Sequence, residues 1–407
     1  MKSVDFVVYK FGGSGLTSPN SLKDIFIKLN LNTKYLFVIS ALKGVTDKLI
    51  GIAEAIKYGN YERAISFKND VISIHKKYWI DYFLDYDKIE KDLISLIESS
   101  KLLKVQSEHS RCKIISRGEY YSSLLLKELL SKCGIKSDIA IATEILKKTN
   151  SDYIIESDLI SEYFQSNNVI ITQGFVYSEN DKYRLFGRNG SDYSAALFAS
   201  KLGANKLVLW KDVDGVYTYD PRKLEGSKIV PNIGFKQLIE LSKFGTEIIY
   251  TPALESAIQG QIPIIIKSLF DLSLNETLIE QDSIKNIFSM TYDTNYSILE
   301  IEESQITNNL KFIFGLIKLK INAEYFNFNN SFFLLFKNSE ITRTLINSSN
   351  EKYSILIVVG LHNSSYINEL EPNFILSDNS NYITKYYFNK ELCDSTIKKI
   401  HDRSQQL

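Results

Sequence analysis

Glycine is scarce in this chain, and its positions indicate where strands give way to helices. Of the 407 residues, only 19 are glycine and 6 are proline. A short apolar run at 6–9 is typical of a buried strand, and a glycine turn at 12–15 follows it directly. Ser18 and Pro19 then form an N-cap and first-turn pair. The apolar residues after them share the spacing of one helix face: Leu22, Ile25, Phe26 and Leu29.

The same order of strand, turn and helix repeats further along the chain. Residues 35–40 form a second apolar run, and helical spacing returns after Thr46. More strands are predicted at 169–172, 206–210 and 262–267, and helices at 61–106 and 192–202. Because strands that alternate with helices lie side by side and parallel, an α/β fold is predicted for residues 1–282, with a mainly parallel sheet between helix layers.

The amino-acid composition changes after this region, since asparagine, phenylalanine and tyrosine become more frequent and the glycine turns disappear. We therefore predict a second, smaller α+β domain over residues 283–407. Its strands are predicted at 297–302, 323–328, 332–336 and 353–360, and its helices at 309–319 and 394–403.

Charge and cysteine content narrow the possible partners and compartment. The 48 basic and 48 acidic residues cancel, so no overall field attracts the chain to nucleic acid or to an anionic membrane. No segment reaches the roughly 18 apolar residues that span a bilayer, and the first residues do not resemble a signal peptide. Its three cysteines lie far apart without a CxxC pair. A cytoplasmic protein without membrane or nucleic-acid partners is expected.

The first glycine turn has the chemistry of a phosphate site. Lys10-Phe11-Gly12-Gly13-Ser14-Gly15 follows the first strand, and a lysine before the glycines excludes a Walker A loop. Glycine lets backbone N–H groups approach phosphate oxygens, and a following helix adds its positive end. The alternative is a purely structural turn.

A second glycine loop offers a guanidinium, a hydroxyl and a carboxylate within five residues. Arg188, Ser191 and Asp192 lie in or next to this loop, just before a predicted helix. Arg188 is suited to grip a carboxylate, and Asp192 to orient Lys10 or the phosphates. The alternative is that Asp192 caps its helix and Arg188 is solvated.

Two further segments carry charged residues at the ends of predicted elements. Glu119 follows Ser116-Arg117-Gly118 at the start of a helix, where it either binds a ligand or only balances the helix dipole. The segment 210–217 ends a strand and leads into 220–222. It is suited to seat a nucleotide base and ribose, although Asp-Gly is also a common turn.

Taken together and in this order, these segments resemble the aspartate kinases of the amino-acid kinase family, most nearly the lysine-sensitive type. The matching segments are VYKFGGS, VISALKGVTDKLI, SRGEYYSSLL, ITQGFVYSEN, FGRNGSDYSAALFASKLGA, VLWKDVDGVYTYDPR and IPIIIKS. The resemblance covers most of residues 4–280. It implies ATP-dependent phosphorylation of the aspartate β-carboxylate, the first step of lysine, threonine and methionine biosynthesis, with Mg²⁺ held mainly by the ATP phosphates.

The resemblance also implies roles for single residues. Lys10 would neutralise the transferring phosphoryl group, and Asp192 would organise the site around it. The residues implied to hold aspartate are Thr46, Glu119, Arg188 and Ser191. Those implied to contact the nucleotide are Lys10, Gly12, Gly13, Ser14, Lys211, Asp212, Tyr217, Arg222 and Glu247.

The chain departs from the family pattern at four positions, the mildest of which is Ser14 in place of threonine. Glu247 stands where a nucleotide-contacting lysine is expected, and Lys211 stands where the family has a small hydroxyl residue. We hypothesise that Lys211 restores the lost charge near the phosphates; comparing the ATP affinity of Lys211→Thr alone and with Glu247→Lys tests this. Asn189 replaces a glycine, a mild change because asparagine tolerates positive φ.

The resemblance is weakest in the C-terminal part. The family carries tandem ACT domains there, which bind the end-product amino acid and build a homodimer. Only about 125 residues follow the kinase part. We predict one ACT-like unit at about 295–345, a reduced second unit, dimerisation through this region and lost lysine feedback. The alternatives to an aspartate kinase are a catalytically weakened regulatory subunit and a same-fold kinase for glutamate, acetylglutamate or a nucleotide.

Overall fold

The computed structural model describes most of the chain in two compact units. The described residues are 5–83, 85–103, 106–150, 152–243, 248–272, 276–281, 288–302, 323–328, 331–337, 353–360, 374–380, 383–388 and 392–404. The first unit comprises Met1–Val216 with Ile249–Gln281, and the second comprises Tyr217–Ile248 with Asp282–Leu407. Residues 217–248 thus group with the second unit, and the domain division after residue 282 stays a prediction.

The strands and helices follow one another along the whole chain. The strands are β1 (Phe6–Phe11), β2 (Lys34–Ile39), β3 (Ser137–Ala140), β4 (Leu146–Thr149), β5 (Asp152–Ile155), β6 (Val169–Gln173), β7 (Val176–Glu179), β8 (Lys182–Leu185), β9 (Lys206–Lys211), β10 (Asn232–Gly234), β11 (Ile264–Ser268), β12 (Thr277–Glu280), β13 (Phe288–Glu302), β14 (Ala323–Phe328), β15 (Ser331–Lys337), β16 (Tyr353–Gly360), β17 (Phe374–Ser380) and β18 (Ile383–Phe388). The helices are α1 (Pro19–Phe26), α2 (Val45–Lys57), α3 (Tyr61–Trp79), α4 (Tyr86–Leu103), α5 (Glu108–Ile115), α6 (Arg117–Lys132), α7 (Ala142–Ile145), α8 (Ser157–Ser166), α9 (Gly190–Lys201), α10 (Phe235–Lys243), α11 (Thr251–Gly260) and α12 (Asp394–Ser404).

The first unit is built on a mainly parallel sheet, as the sequence predicts. Its strands run in the order β12-β11-β9-β1-β2-β6-β3, and among them only β12 pairs antiparallel, with β11. Alternate residues point to opposite faces. One face, including Phe37 and Trp210, lies in a large core with α1 to α6, and the other face lies against α9.

The first helix is shorter than its apolar spacing predicts. It ends at Phe26, so Leu29 lies beyond it. Asn30 forms a local turn in which its side-chain oxygen accepts a hydrogen bond from the backbone N–H of Asn32 at 3.1 Å. Asparagine competes with helix formation through such bonds, which explains the early end.

A second, small sheet in the first unit was not predicted from the sequence. Its four strands run in the order β5-β4-β7-β8. The β7–β8 hairpin turns through Asn180 and Asp181, whose φ angles of 52° and 56° are left-handed. Two consecutive positive φ angles suit a tight hairpin turn. After β8 the chain continues into the loop that carries Arg188.

The second unit contains a six-stranded antiparallel sheet in the order β14-β15-β13-β16-β18-β17. Apolar residues of α12 pack on this sheet together with Tyr219 and Leu224. The predicted strands at 297–302, 323–328, 332–336 and 353–360 and the closing helix are confirmed. The predicted helix at 309–319 lies outside the described residues, and the division into two ACT-like units stays a prediction.

Candidate active site

The carboxyl ends of the central strands form the floor of a cleft in the first unit. From β1 the sheet extends in one direction through β2 and β6, and in the other through β9 and β11. The order reverses between β1 and β9. Open α/β sheets bind their ligands at such a switch point, outside the carboxyl ends of the strands.

Charged side chains meet at this switch point. Lys10 lies near the end of β1, and Lys211 ends β9. Lys10 Nζ lies 2.6 Å from Oδ1 of Asp192, and Lys211 Nζ donates a hydrogen bond to Oδ2 at 2.9 Å. Asp192 belongs to the first turn of α9, which packs on the same face of the sheet. Lys10 and Asp192 therefore lie together, as the sequence predicts.

The three charged side chains are nearly excluded from solvent. Their exposed fractions are 10% for Lys10, 7% for Asp192 and 16% for Lys211. Burial opposes ionisation of Asp192, but the two ammonium groups outweigh it and hold the pKa of this carboxyl well below its usual range. Asp192 is thus a carboxylate held between two lysine ammonium groups.

The glycine turn lies close against the strand end of β2. A Cβ on Gly13 would stand 2.4 Å from the carbonyl oxygen of Ala41, so only glycine fits. The carbonyl of Gly13 accepts a hydrogen bond from Lys43 N at 3.1 Å, and Gly12 N donates to the carbonyl of Trp210. The turn is therefore fixed between the ends of β2 and β9.

Glu119 is a buried carboxyl group, and only one of its two oxygens is hydrogen-bonded within the described residues. Its Oε1 accepts a hydrogen bond from Ala41 N at 3.2 Å, whereas its Oε2 has no hydrogen-bond partner among the described residues. Burial raises the pKa of Glu119 to about 8. A group that only balanced the helix dipole would lie at the surface. The unpartnered oxygen in a cleft instead favours a ligand donor.

The loop before α9 divides its residues between the surface and the interior. Asn189 has a φ of 58°, which confirms that it takes the left-handed conformation in place of glycine. Arg188 is exposed, whereas Ser191 and Asp192 are buried. Asp192 is bound by two lysines and Asn189 is the N-cap residue, so the capping alternative for Asp192 is wrong.

One cavity of about 890 Å³ joins these elements. The predicted site residues that line it are Lys10, Gly12, Gly13, Ser14, Thr46, Glu119, Arg188, Ser191, Asp192, Lys211 and Asp212. Tyr217 and Arg222 belong to the second unit. There the Arg222 guanidinium, 87% exposed, forms two bonds of 3.0 and 2.9 Å to Asp220. Glu247 lies outside the described residues.

The cavity also has a wall that sequence reasoning missed. Glu108, Arg111 and Cys112 from α5 line it, together with Arg184 from β8. Helix α5 has no glycine motif, so only its position in the fold indicates a place in the site. Cys112 is an inert lining residue, because burial and the neighbouring Glu108 raise the pKa of its thiol to about 11.

The described part of the chain contains neither a membrane-spanning helix nor a metal-binding cluster. None of its helices is long and apolar enough to cross a bilayer. None of its groups of three or more histidine, cysteine, aspartate or glutamate side chains is arranged to hold a metal ion.

Two proteins of known sequence align with large parts of this chain. A bifunctional aspartokinase/homoserine dehydrogenase of Buchnera aphidicola is 29% identical over 306 residues, 68% of this chain and 38% of that protein. The chain thus spans less than two thirds of the length of this relative. An aspartokinase of Rickettsia prowazekii is 25% identical over 421 residues, 96% of this chain and 84% of that protein.

A solved structure shares the fold. Aspartokinase III of E. coli in complex with lysine and aspartate superposes with a TM-score of 0.77 at 23% identity, covering 98% of this chain and 99% of that one. The family model for the amino acid kinase family matches residues 5–268, more than half of the sequence. The chain therefore belongs to the amino acid kinase family.

Proposed function

We propose that the chain is an aspartate kinase, which transfers the γ-phosphoryl group of ATP to the β-carboxylate of aspartate. The product is 4-phospho-L-aspartate, and the reaction would open the biosynthesis of lysine, threonine and methionine. The observation that carries the proposal is the cleft itself. It combines two buried lysines, which suit phosphate, with Oε2 of Glu119, which has no hydrogen-bond partner among the described residues and suits an ammonium group. The relatives named aspartokinase support it.

The acceptor half of the cleft has the donors and acceptors that an amino acid requires. The substrate ammonium would favour the ionised form of Glu119, whose Oε2 would then accept a hydrogen bond from it. The exposed guanidinium of Arg188 would grip a carboxylate with two parallel hydrogen bonds. Thr46 and Ser191 would orient the substrate with their hydroxyl groups. The ammonium group and one carboxylate of a dicarboxylic amino acid thus each find a charged partner, and the other carboxylate is left to accept the phosphoryl group.

The transfer itself requires no proton movement. An oxygen of the aspartate β-carboxylate, already ionised at neutral pH, forms a bond to the γ-phosphorus. The bond from this phosphorus to the bridging oxygen breaks, and its electron pair leaves with ADP. Lys10 would neutralise the charge on the migrating group, and Asp192 would hold Lys10 in place. This chemistry is positioning and charge neutralisation without a general base.

Magnesium fits this site as a companion of the nucleotide. Both oxygens of Asp192 are engaged by lysines, and no metal-holding cluster occurs in the described residues. We therefore infer that Mg²⁺ is held mainly by the ATP phosphates. The ion would supply further charge neutralisation on those phosphates.

A hydroxamate assay tests the proposal. The purified chain, ATP, Mg²⁺ and hydroxylamine are incubated with aspartate, glutamate or acetylglutamate. ADP release with uridine monophosphate is measured in parallel. Hydroxamate is expected to form with aspartate and not with glutamate or acetylglutamate. Turnover with another acceptor would identify a same-fold kinase of different specificity, and no turnover with any acceptor would favour a regulatory subunit.

The second unit suggests a role in assembly. We propose that its antiparallel sheet and α12 form the ACT-like region through which two copies build a homodimer. Lysine inhibition is expected to be absent. Light scattering of the whole chain and a lysine titration of activity test these statements; a monomer, or inhibition by lysine below about 1 mM, would contradict them. The three cysteines of the chain are free thiols, which fits a reducing compartment such as the cytoplasm.

A further inference from the structure

The chain between β2 and α2 contains a short segment, residues 40–43, whose first two residues line the cleft. Its two central N–H groups are bound by side chains of α6. Ala41 N donates to Oε1 of Glu119 at 3.2 Å, and Leu42 N donates to Oγ of Ser122 at 3.1 Å. Helix α6 therefore holds this segment at two successive residues.

The outer two N–H groups of the segment are bound by β1 and the glycine turn. Ser40 N donates to the carbonyl of Phe11, and Lys43 N donates to the carbonyl of Gly13, both at 3.1 Å. Phe11 ends β1, and Gly13 belongs to the turn expected to hold phosphate. The segment 40–43 thus ties this turn to the helix that carries Glu119, the residue expected to hold the acceptor.

The local sequence of α6 explains the double contact. Glu119 and Ser122 lie three residues apart, so both face the same side of the helix. A Cβ on Gly118 would stand 2.6 Å from Cβ of Ala41, so glycine lets the helix approach the segment closely. Leu42 is buried, and the Ser122 hydroxyl satisfies a backbone donor that would otherwise be costly to bury.

Ser122 lies too deep to contact a substrate. Its exposed fraction is 0%. Glu119 lines the cavity, whereas Ser122 acts on it through the backbone of residues 40–43. Phosphoryl transfer depends on close and aligned substrates, and a displacement of about 1 Å can lower the rate by about 100-fold. A residue that fixes the segment between the two substrates can therefore affect the rate without touching either of them.

We propose that Ser122 is a positioning residue for the phosphoryl transfer. Through Leu42 N it fixes the segment 40–43, and with it the distance between the glycine turn and the acceptor contact at Glu119. This inference rests on the proposed function and deepens it, because it adds to the cleft a residue that sets its geometry from outside.

Two variants and a control separate positioning from simple stability. Ser122→Ala removes the acceptor of Leu42 N and deletes one buried oxygen atom. Ser122→Cys keeps a side chain of similar size, but sulfur accepts hydrogen bonds only weakly. Ser100→Ala is the matched control, because Ser100 is also a buried helical serine, and its hydroxyl donates to the carbonyl of Leu96 in the same helix at 2.8 Å. Kinetics are compared at a temperature at which circular dichroism shows the variants to be folded.

Loss of positioning predicts a kinetic effect beyond any loss of stability. Ser122→Ala should lower kcat with aspartate by at least about 10-fold and raise the KM for aspartate by about 5-fold, because the segment shifts against Glu119. Ser122→Cys should lower kcat by at least about 3-fold, and Ser100→Ala should keep both constants within about 2-fold. Constants near the parent values in Ser122→Ala, or equal losses in Ser100→Ala, would overturn the inference. Should Ser122→Ala not fold, Ser122→Cys decides by the same comparison.

Hydrogen exchange tests the contact without any turnover. Amide exchange of residues 40–43, measured by mass spectrometry in the absence of substrates, should be at least about 10-fold faster in Ser122→Ala and unchanged in Ser100→Ala. Failure of the proposed function would instead appear as a parent chain that does not phosphorylate aspartate. Unchanged exchange in Ser122→Ala would overturn the inference in that case as well.

Discussion

The parallel strands have their amino ends on one side of the sheet, here called the amino edge, and their carboxyl ends on the other, the carboxyl edge. The two sides serve different purposes. At the amino edge, backbone N–H groups form hydrogen bonds within the protein: Lys34 N donates to Asp5 O at 2.8 Å, and Phe6 N donates to Asn205 Oδ1 at 2.7 Å. At the carboxyl edge, Lys10, Lys211 and Glu119 line a cleft instead. One sheet thus separates stability from binding, because parallel strands gather all their carboxyl ends on one side.

The largest effect is expected when the carboxyl edge loses its central charge pair. Lys10→Ala or Asp192→Ala should lower turnover by at least about 100-fold, the scale typical of removing an electrostatic stabiliser. Lys34→Ala, the matched change at the amino edge, should leave turnover within about 2-fold. The hydroxamate assay measures all three, and equal losses at both edges would break the comparison.

A smaller effect is expected at the acceptor side of the cleft. Arg188→Ala should raise the KM for aspartate by about 10- to 100-fold, because a charge-assisted bidentate contact is lost. The KM for ATP should change little. Arg63→Ala, on the exposed surface of α3, is the control. An increase confined to the KM for ATP would place Arg188 on the nucleotide instead.

Burial of Glu119 predicts a pH-dependent stability. Its folded pKa of about 8 lies above the usual value of 4.5, so the folded state holds a proton that the unfolded state releases. The stabilising contribution of Glu119 is present below about pH 4.5 and is lost as pH rises to about 8. Relative to the parent, Glu119→Gln should therefore gain on the order of 2–4 kcal/mol in unfolding free energy between pH 5 and 8. Denaturant unfolding at both pH values measures it, and a pH-independent difference would contradict it.

The smallest effect is expected at the amino edge. Asn205→Ala removes the acceptor of the Phe6 backbone N–H and should lower the unfolding free energy by about 1 kcal/mol. Both KM values should stay unchanged, because this edge binds no substrate. Thermal unfolding and steady-state kinetics on the same sample test it. A changed KM for ATP would show that the two edges are not independent.

Local patterns were enough to predict the parts of the fold in which strand, turn and helix follow each other closely. The segment from β1 to α1 and the loop before α9 are of this kind, and residues of both line one cavity. The spacing of apolar residues and the positions of glycine carry this information, since both depend on near neighbours in the chain.

Features that depend on distant packing escaped the sequence analysis. The strands β4 and β5 have few buried positions, so their pattern was too weak to indicate the second sheet. The contact between Lys211 and Asp192 arises only because α9 packs on β1 and β9. The wall formed by α5 also depends on packing, because its residues carry no motif of their own.

The ends of β1 and β9 lie far apart along the sequence yet complete one charged cluster. A ribosome must therefore release the chain past Lys211 before the cluster can form. Until Lys211 has been synthesised, the emerging chain lacks part of this cluster. Contacts between residues so far apart in the sequence also form slowly during folding. Tight ATP binding would consequently require a completely folded first unit. Because ATP would then bind the folded state in preference, added ATP should raise the yield of refolded molecules by mass action.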